Sequence, residues 1–187
     1  KRGDIGSTMA GYAQAYLSDG APLAADSITV SPYLGYGSLA PALDLAEAGG
    51  RGVFVLALTS NPEGTTVQHA VSGERAVAAE VVEGVTASNA AARGEGGLGS
   101  IGLVVGATVG EAVSRLGIDL LRANGPLLAP GVGAQGAGAT ELESVFGPAR
   151  RHVLASTSRG VLKAGPSIEA LRAAALAATH EAAAALR

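Results

Sequence analysis

Residues 53–64, "VFVLALTSNPEG", decide the fold. Residues 53–59 are apolar almost without a break, where a half-solvated strand would alternate with polar residues. A strand of this kind is covered on both faces, as in a parallel sheet lined with helices. Ser60, Asn61, Pro62, Glu63 and Gly64 follow at once, a cluster of turn formers. Four other runs repeat the pattern: 27–31 ("SITVS"), 101–107 ("IGLVVGA"), 127–130 ("LLAP") and 152–156 ("HVLAS").

Between these runs, Ala-, Glu- and Leu-rich stretches predict helices over 8–18, 38–48, 66–91, 110–122 and 140–146. A last helix runs from Ser167, its N-cap, to near Arg187, with Ile168, Leu171 and Leu176 facing inward. Strands alternating with helices imply an α/β fold with a parallel sheet. Five strands suit an open doubly wound sheet. They also suit part of a closed eight-stranded barrel, which takes ~250 residues and would place three more strands upstream. The chain opens on a loop that runs into a helix, as it would just after a strand.

Apolar residues are 48% of the 187 and aromatics 3%, with no Trp, so the core is built from Ala, Val, Leu and Ile. A net charge of −3 gives no basic footprint for nucleic acid. Cysteine is absent, which excludes disulfides, thiolate metal sites and Cys nucleophiles, and suits a reducing cytoplasmic setting. The apolar runs are far too short to span a bilayer, so no membrane partner is expected.

The turn clusters all follow strands, and ligand sites of parallel α/β folds lie at that edge. "PGVGAQG" (130–136) offers backbone N–H groups and Gln135 to an anion. "STSRG" (156–160) adds Arg159, whose planar fork suits a phosphate. Two consecutive strand ends thus agree on phosphate. The G-x-G-x-x-G or -A matches at 35–40, 97–102 and 131–136 lack the context of a dinucleotide fingerprint. Tyr33 and Tyr36 either line a pocket or plug the rim. His69, His152 and His180 have no G-x-S-x-G partner and read as structural or solvated. No cluster has metal-ligand spacing, and no cofactor motif is present. Lys1 and Lys163 are the only lysines among 13 basic residues. On spacing alone Lys1 and Asp4 read as an exposed ion pair.

The opening octet "KRGDIGST" resembles the D-x-K-x-x-D signature of the orotidine 5′-monophosphate decarboxylase family, in the "DAKRGDIGST" form of a bacterial subgroup. "SPYLGYGSL", "LTSNPEG", "GLVVGAT", "APGVGAQG" and "SRGVLKAGP" follow in family order and at family spacing. The resemblance implies a (β/α)8 TIM barrel, with residues 1–187 supplying strands four to eight of one domain. The signature's first Asp and strands one to three would lie upstream, and the 187-residue chain alone is then expected to be inactive. It implies conversion of orotidine 5′-monophosphate to uridine 5′-monophosphate and CO2, without metal or cofactor, by a cytoplasmic homodimer. Lys1 would be the proton donor. Asp4, Ile5 and Thr8 would reach across the dimer into the partner's site, and Ser60 would bind the pyrimidine edge. Pro130 and Val132 would border a closing loop, Gln135 would bridge base and phosphate, and Arg159 would hold the phosphate. The alternatives are a Mg²⁺-dependent keto-sugar-phosphate decarboxylase, a phosphosugar isomerase barrel and an inactive structural fragment.

Overall fold

The computed structural model describes residues 3–132 and 137–187. Helix α1 (Gly6–Leu17) buries Met9, Ala13 and Leu17, a spacing of four that makes one apolar stripe. Strand β1 (Ser27–Val30) leads through a 3-10 turn, Tyr36–Leu39, into α2 (Ala40–Ala48). Pro41 stands in the first turn of α2, where a missing N–H costs nothing. After β2 (Gly52–Leu58) come α3 (Thr65–Gln68) and a hairpin of β3 (Val71–Ser72) and β4 (Arg75–Ala76). Helices α4 (Val77–Ser88) and α5 (Ala90–Gly94) precede β5 (Ile101–Val105), and α6 (Ala112–Arg115) precedes β6 (Leu127–Pro130). Then follow α7 (Ala139–Phe146), a 3-10 segment Gly147–His152, β7 (Val153–Ser156), α8 (Arg159–Leu162) and α9 (Ile168–Ala185).

The large sheet has the order β1-β2-β5-β6-β7, every neighbouring pair parallel. Each strand is laid beside the one before it, with no reversal. A doubly wound sheet reverses its strand order partway across, whereas a barrel wall keeps adding on the same side. The strand order thus chooses between the two architectures that the sequence leaves open. Val55, Leu103, Leu127 and Val153 stand in register and form a buried row across four strands. The adjacent row, Leu56, Val104, Leu128 and Leu154, faces the other side, and Leu154 is 50% exposed. On that side the Phe54 ring lies against Gly102, where a Cβ would come within 2.7 Å of Phe54 Cδ1. Between Leu56 and Leu58 the β2–β5 register shifts, so Ala57 is an extra residue on β2. Both Ala57 and Leu58 are buried as a result.

At the opposite edge of the sheet, Asn89 bolts the entrance of β5 to the loop before β6. It is 2% exposed. Its Nδ2 donates to the carbonyls of Ile101 (2.7 Å) and Ala123 (2.8 Å), and its Oδ1 accepts from the Ile101 N–H (3.3 Å). Gly99 and Gly125 clasp the amide between them: a Cβ on Gly99 would overlap it, and one on Gly125 would stand 2.9 Å from Nδ2.

Three expectations change. The helix read over 66–91 is interrupted by the β3–β4 hairpin, because Gly73 (φ +65°) reverses the chain and the Val77 N–H closes the base on the Ala70 carbonyl at 2.8 Å. The helix read over 110–122 shrinks to α6, since Gly110 (φ +58°) and Gly117 (φ +65°) leave the helical region at both ends. Ser167 does cap α9, its Oγ accepting from the Ala170 N–H at 3.4 Å. The stripe turned inward on α9 is Leu171, Ala174, Ala178 and Ala182, however, while Ile168 is 82% and Leu176 52% exposed. No residue of α9 is buried: Ala174, Ala178 and Ala182 face Val153, Leu154 and Ala155 of β7 across a cleft of about 880 Å³. No helix of the described residues is long and apolar enough to cross a membrane.

Candidate functional site

Parallel pairing puts the C-terminal ends of β1, β2, β5, β6 and β7 on one edge. The ends are tied to one another beyond the strands. The Gly106 N–H donates to the Leu58 carbonyl at 2.9 Å and the Ala107 N–H to the Pro130 carbonyl at 3.0 Å, while Pro130 pairs with Ser156. Polar side chains that follow these strands therefore converge on one rim.

Ser60 is exposed on this rim, immediately beyond β2. Its two neighbours are fixed. The Thr59 N–H donates to Gln68 Oε1 at 2.9 Å, and Gln68 Nε2 donates to Thr59 Oγ1 at 2.6 Å. Thr59 Oγ1 in turn donates to Asn61 Oδ1 at 2.7 Å, and Asn61 Nδ2 donates to Glu63 Oε2 at 3.1 Å. The Asn61 bond, with one from the backbone, holds the Glu63 carboxyl below its ordinary range.

The opening segment reaches the same rim at the end of β1. Gly3 lies against the Ser31 carbonyl, so closely that a Cβ would overlap it. Asp4 is half-buried, and its Oδ1 accepts from the Ile5 N–H at 2.8 Å. Ile5 is 61% exposed, and Thr8 is exposed in the first turn of α1. Lys1, read from sequence as the proton donor, lies outside the described residues, as does Gln135.

At the far end of the rim, Pro130 is half-buried and Val132 is buried in a bridge to Ala137. Arg159 is the first residue of α8, beyond β7, and is exposed. It makes no ion pair among the described residues. The structure thus brings Asp4, Ile5, Thr8, Ser60, Pro130, Val132 and Arg159 to one edge. A carboxylate, a hydroxyl and a free guanidinium around the mouth of a parallel barrel wall suit an anionic polar ligand.

The two tyrosines part company. Tyr33 is 76% exposed. Tyr36 packs flat on Gly84, where a Cβ would stand 2.6 Å from the ring, and shares a hydrogen bond of 2.8 Å with Ser88 Oγ. Burial pushes its phenol above the ordinary value, against the Ser88 bond. Tyr36 is therefore a packing residue on the outer helices. The histidines stay outside the cluster of site residues: His69 Nδ1 meets Arg115 at 3.5 Å, and His180 is exposed on α9. His152 Nε2 accepts from Arg151 Nε at 3.3 Å, and burial, with the Arg151 charge, lowers its pKa. Sequence reading missed Gln68 and Asn89. Both are polar residues at helix ends, and the glycines that crowd them (Gly64, Gly99 and Gly125) were the only hint in the chain.

Residues 1–174 match the Orotidine 5′-phosphate decarboxylase / HUMPS family. An orotidine 5′-phosphate decarboxylase of Streptomyces coelicolor is 60% identical over 177 residues, which is 94% of this chain and 61% of that protein. A solved protein of Streptomyces avermitilis, assigned as orotidine 5′-phosphate decarboxylase, superposes with a TM-score of 0.91 at 57% identity, over all of this chain and 63% of its own. The Leishmania donovani OMP decarboxylase follows with a TM-score of 0.74 at 32% identity, over 100% and 66%. The chain thus spans about three fifths of the curated relatives it matches. Its sheet and helices are part of a (β/α)8 barrel. Fold, strand order, rim and sequence agree that this chain belongs to the orotidine 5′-phosphate decarboxylase / HUMPS family.

Proposed function

We propose that the barrel containing this chain decarboxylates orotidine 5′-monophosphate to uridine 5′-monophosphate and CO2, in the cytoplasm, as a homodimer. The observation that carries this reading is the 60% identity to a decarboxylase of that name over 94% of the chain, with Ser60, Pro130 and Arg159 at strand ends on one edge. In this reading β1, β2, β5, β6 and β7 are the fourth to eighth strands of a single barrel domain.

The chemistry follows from the groups at hand. The bond from C6 to the carboxylate breaks, its electron pair stays on C6, and the Lys1 ammonium then gives C6 a proton. Before that transfer the same ammonium, held among carboxylates, offsets the negative charge growing on C6. Ser60 orients the pyrimidine edge. Arg159 and Gln135 hold the phosphate, and Pro130 and Val132 border the closing loop. Binding energy from the phosphate is then expressed at the reacting carbon in the transition state. Asp4, Ile5 and Thr8 serve the partner's site in the dimer. The apolar exposure of Ile5, together with Tyr33 and Leu34 on the neighbouring strand-end loop, supports an interface there.

The test is a hybrid barrel in which this chain replaces the segment it matches in the Streptomyces coelicolor relative. The hybrid is expected to decarboxylate orotidine 5′-monophosphate and to keep its activity in the presence of a chelator. A folded hybrid that leaves the nucleotide untouched, or that turns over a keto-sugar phosphate only with Mg²⁺, overturns the reading. Arg159→Ala in the hybrid is expected to lower kcat/KM by about a hundredfold, the scale of losing one forked charge contact, while leaving the unfolding midpoint in place. Unchanged kcat/KM would remove Arg159 from the site.

A further inference from the structure

We infer that Gln68 is a positioning residue that fixes the rim hydroxyl of Ser60 by clasping Thr59 at two points. The inference rests on the proposed function and adds a residue to that site. Gln68 lies at the end of α3, nine positions beyond Thr59, and both residues are half-buried beneath the rim. The Thr59 N–H can meet only an acceptor, so it fixes Gln68 Oε1 toward the backbone (2.9 Å) and leaves Nε2 as donor to Thr59 Oγ1 (2.6 Å). The Thr59 hydroxyl then spends its proton on Asn61 Oδ1 (2.7 Å). One amide therefore holds the residue before Ser60 directly and the residue after it through a relay.

Two glycines make room for this arrangement. At Gly64, φ is −59°, an ordinary helical value, so close approach is what requires the missing side chain. A Cβ there would stand 2.8 Å from Thr59 Oγ1 and 3.0 Å from Gln68 Nε2. On the other flank a Cβ on Gly106 would stand 3.2 Å from the Ser60 N and 3.4 Å from the Ser60 Cβ. Ser60 is thus bracketed by the Gln68 clasp and by the bare backbone at the end of β5. Only a primary amide offers a donor and an acceptor side by side at this reach. Glu supplies acceptors alone, and Met fills the same volume with neither.

The experiment is a double-mutant cycle in the hybrid barrel, with unfolding midpoints recorded for every variant. Gln68→Met is expected to lower kcat/KM for orotidine 5′-monophosphate by about ten- to a hundredfold, the cost of a misplaced binding group. Gln68→Glu should recover part of that loss, because its carboxylate still accepts from the Thr59 N–H. In a Ser60→Ala background, Gln68→Met should cost less than about twofold more, since the group it positions is already gone. A residue that only stabilises the fold would cost the same in both backgrounds, and that result overturns the inference. So does a Gln68→Met variant with wild-type kcat/KM while Ser60→Ala is crippled. Amide hydrogen exchange decides the clasp without turnover: Thr59, whose N–H donates to Gln68, should exchange at least about tenfold faster in Gln68→Met, with β5 and β6 unchanged. Unaltered exchange at Thr59 also overturns it. A hybrid that lacks decarboxylase activity sinks the proposed function instead, and the exchange result still stands or falls by itself.

Discussion

Lys1→Ala in the hybrid barrel is expected to lower kcat by at least about 10³-fold, with a much smaller change in KM. Losing CO2 from the pyrimidine leaves an electron pair on a carbon with no adjacent sink, so its stabilisation falls to a fixed cation. In this reading the Lys1 ammonium supplies both that cation and the proton, and one truncation removes both. Arg is no substitute: its guanidinium keeps the charge but does not release a proton near neutrality. Lys1→Arg should therefore also be inactive, with nucleotide affinity retained through Arg159. Single-turnover release of labelled CO2 separates the chemical step from binding. A Lys1→Ala variant within tenfold of wild type would remove the ammonium from the mechanism.

Asn89→Ala should be the most damaging substitution far from the rim, costing about 3 kcal/mol or more of stability. Truncation strands two carbonyls and one N–H in a site that is 2% exposed. Gly99 and Gly125 carry no side chain that could fold over the gap. Asn89→Asp is not conservative here, because a carboxylate would face the Ile101 and Ala123 carbonyls with no proton to donate. Urea unfolding of the hybrid barrel measures the loss. Activity per folded molecule at low temperature should stay within about twofold of wild type, since the bolt sits at the sheet edge opposite the rim. A midpoint within experimental scatter of wild type would mean that Asn89 carries no load.

The strands were legible because each is a short apolar run closed by turn formers, and these signals act within a few residues. The site was legible for a related reason. Once the strands are parallel, every strand end falls on one edge, so Ser60, Pro130 and Arg159 share that edge although they come from three different strand ends far apart in the chain. The motif resemblance names the family, and it alone singles out Lys1 and Asp4, whose spacing reads as a surface ion pair. What stayed hidden depends on contacts across space. The β3–β4 hairpin broke an otherwise helical pattern because one residue, Gly73, adopts a positive φ. The inward face of α9 pairs Leu171 with methyl groups and leaves Ile168 and Leu176 outside, and in a helix so rich in Ala no apolar stripe marks which face turns in. Gln68 and Asn89 are single amides, and no periodicity announces which backbone groups a lone amide will meet.

The register shift at Ala57 has a consequence for how chain length can drift in this segment. Leu56 and Leu58 face successive residues of β5, so the end of β2 runs one position ahead of its neighbour before Ser60 begins. Removing Ala57 would restore an even ladder with Leu58 still opposite Val105, so Ser60 would keep its side, whereas removing Thr59 would turn the hydroxyl to the opposite face. Chain length can therefore drift at Ala57 without loss of chemistry, whereas a one-residue deletion at Thr59 should keep the layers beneath and lose the activity.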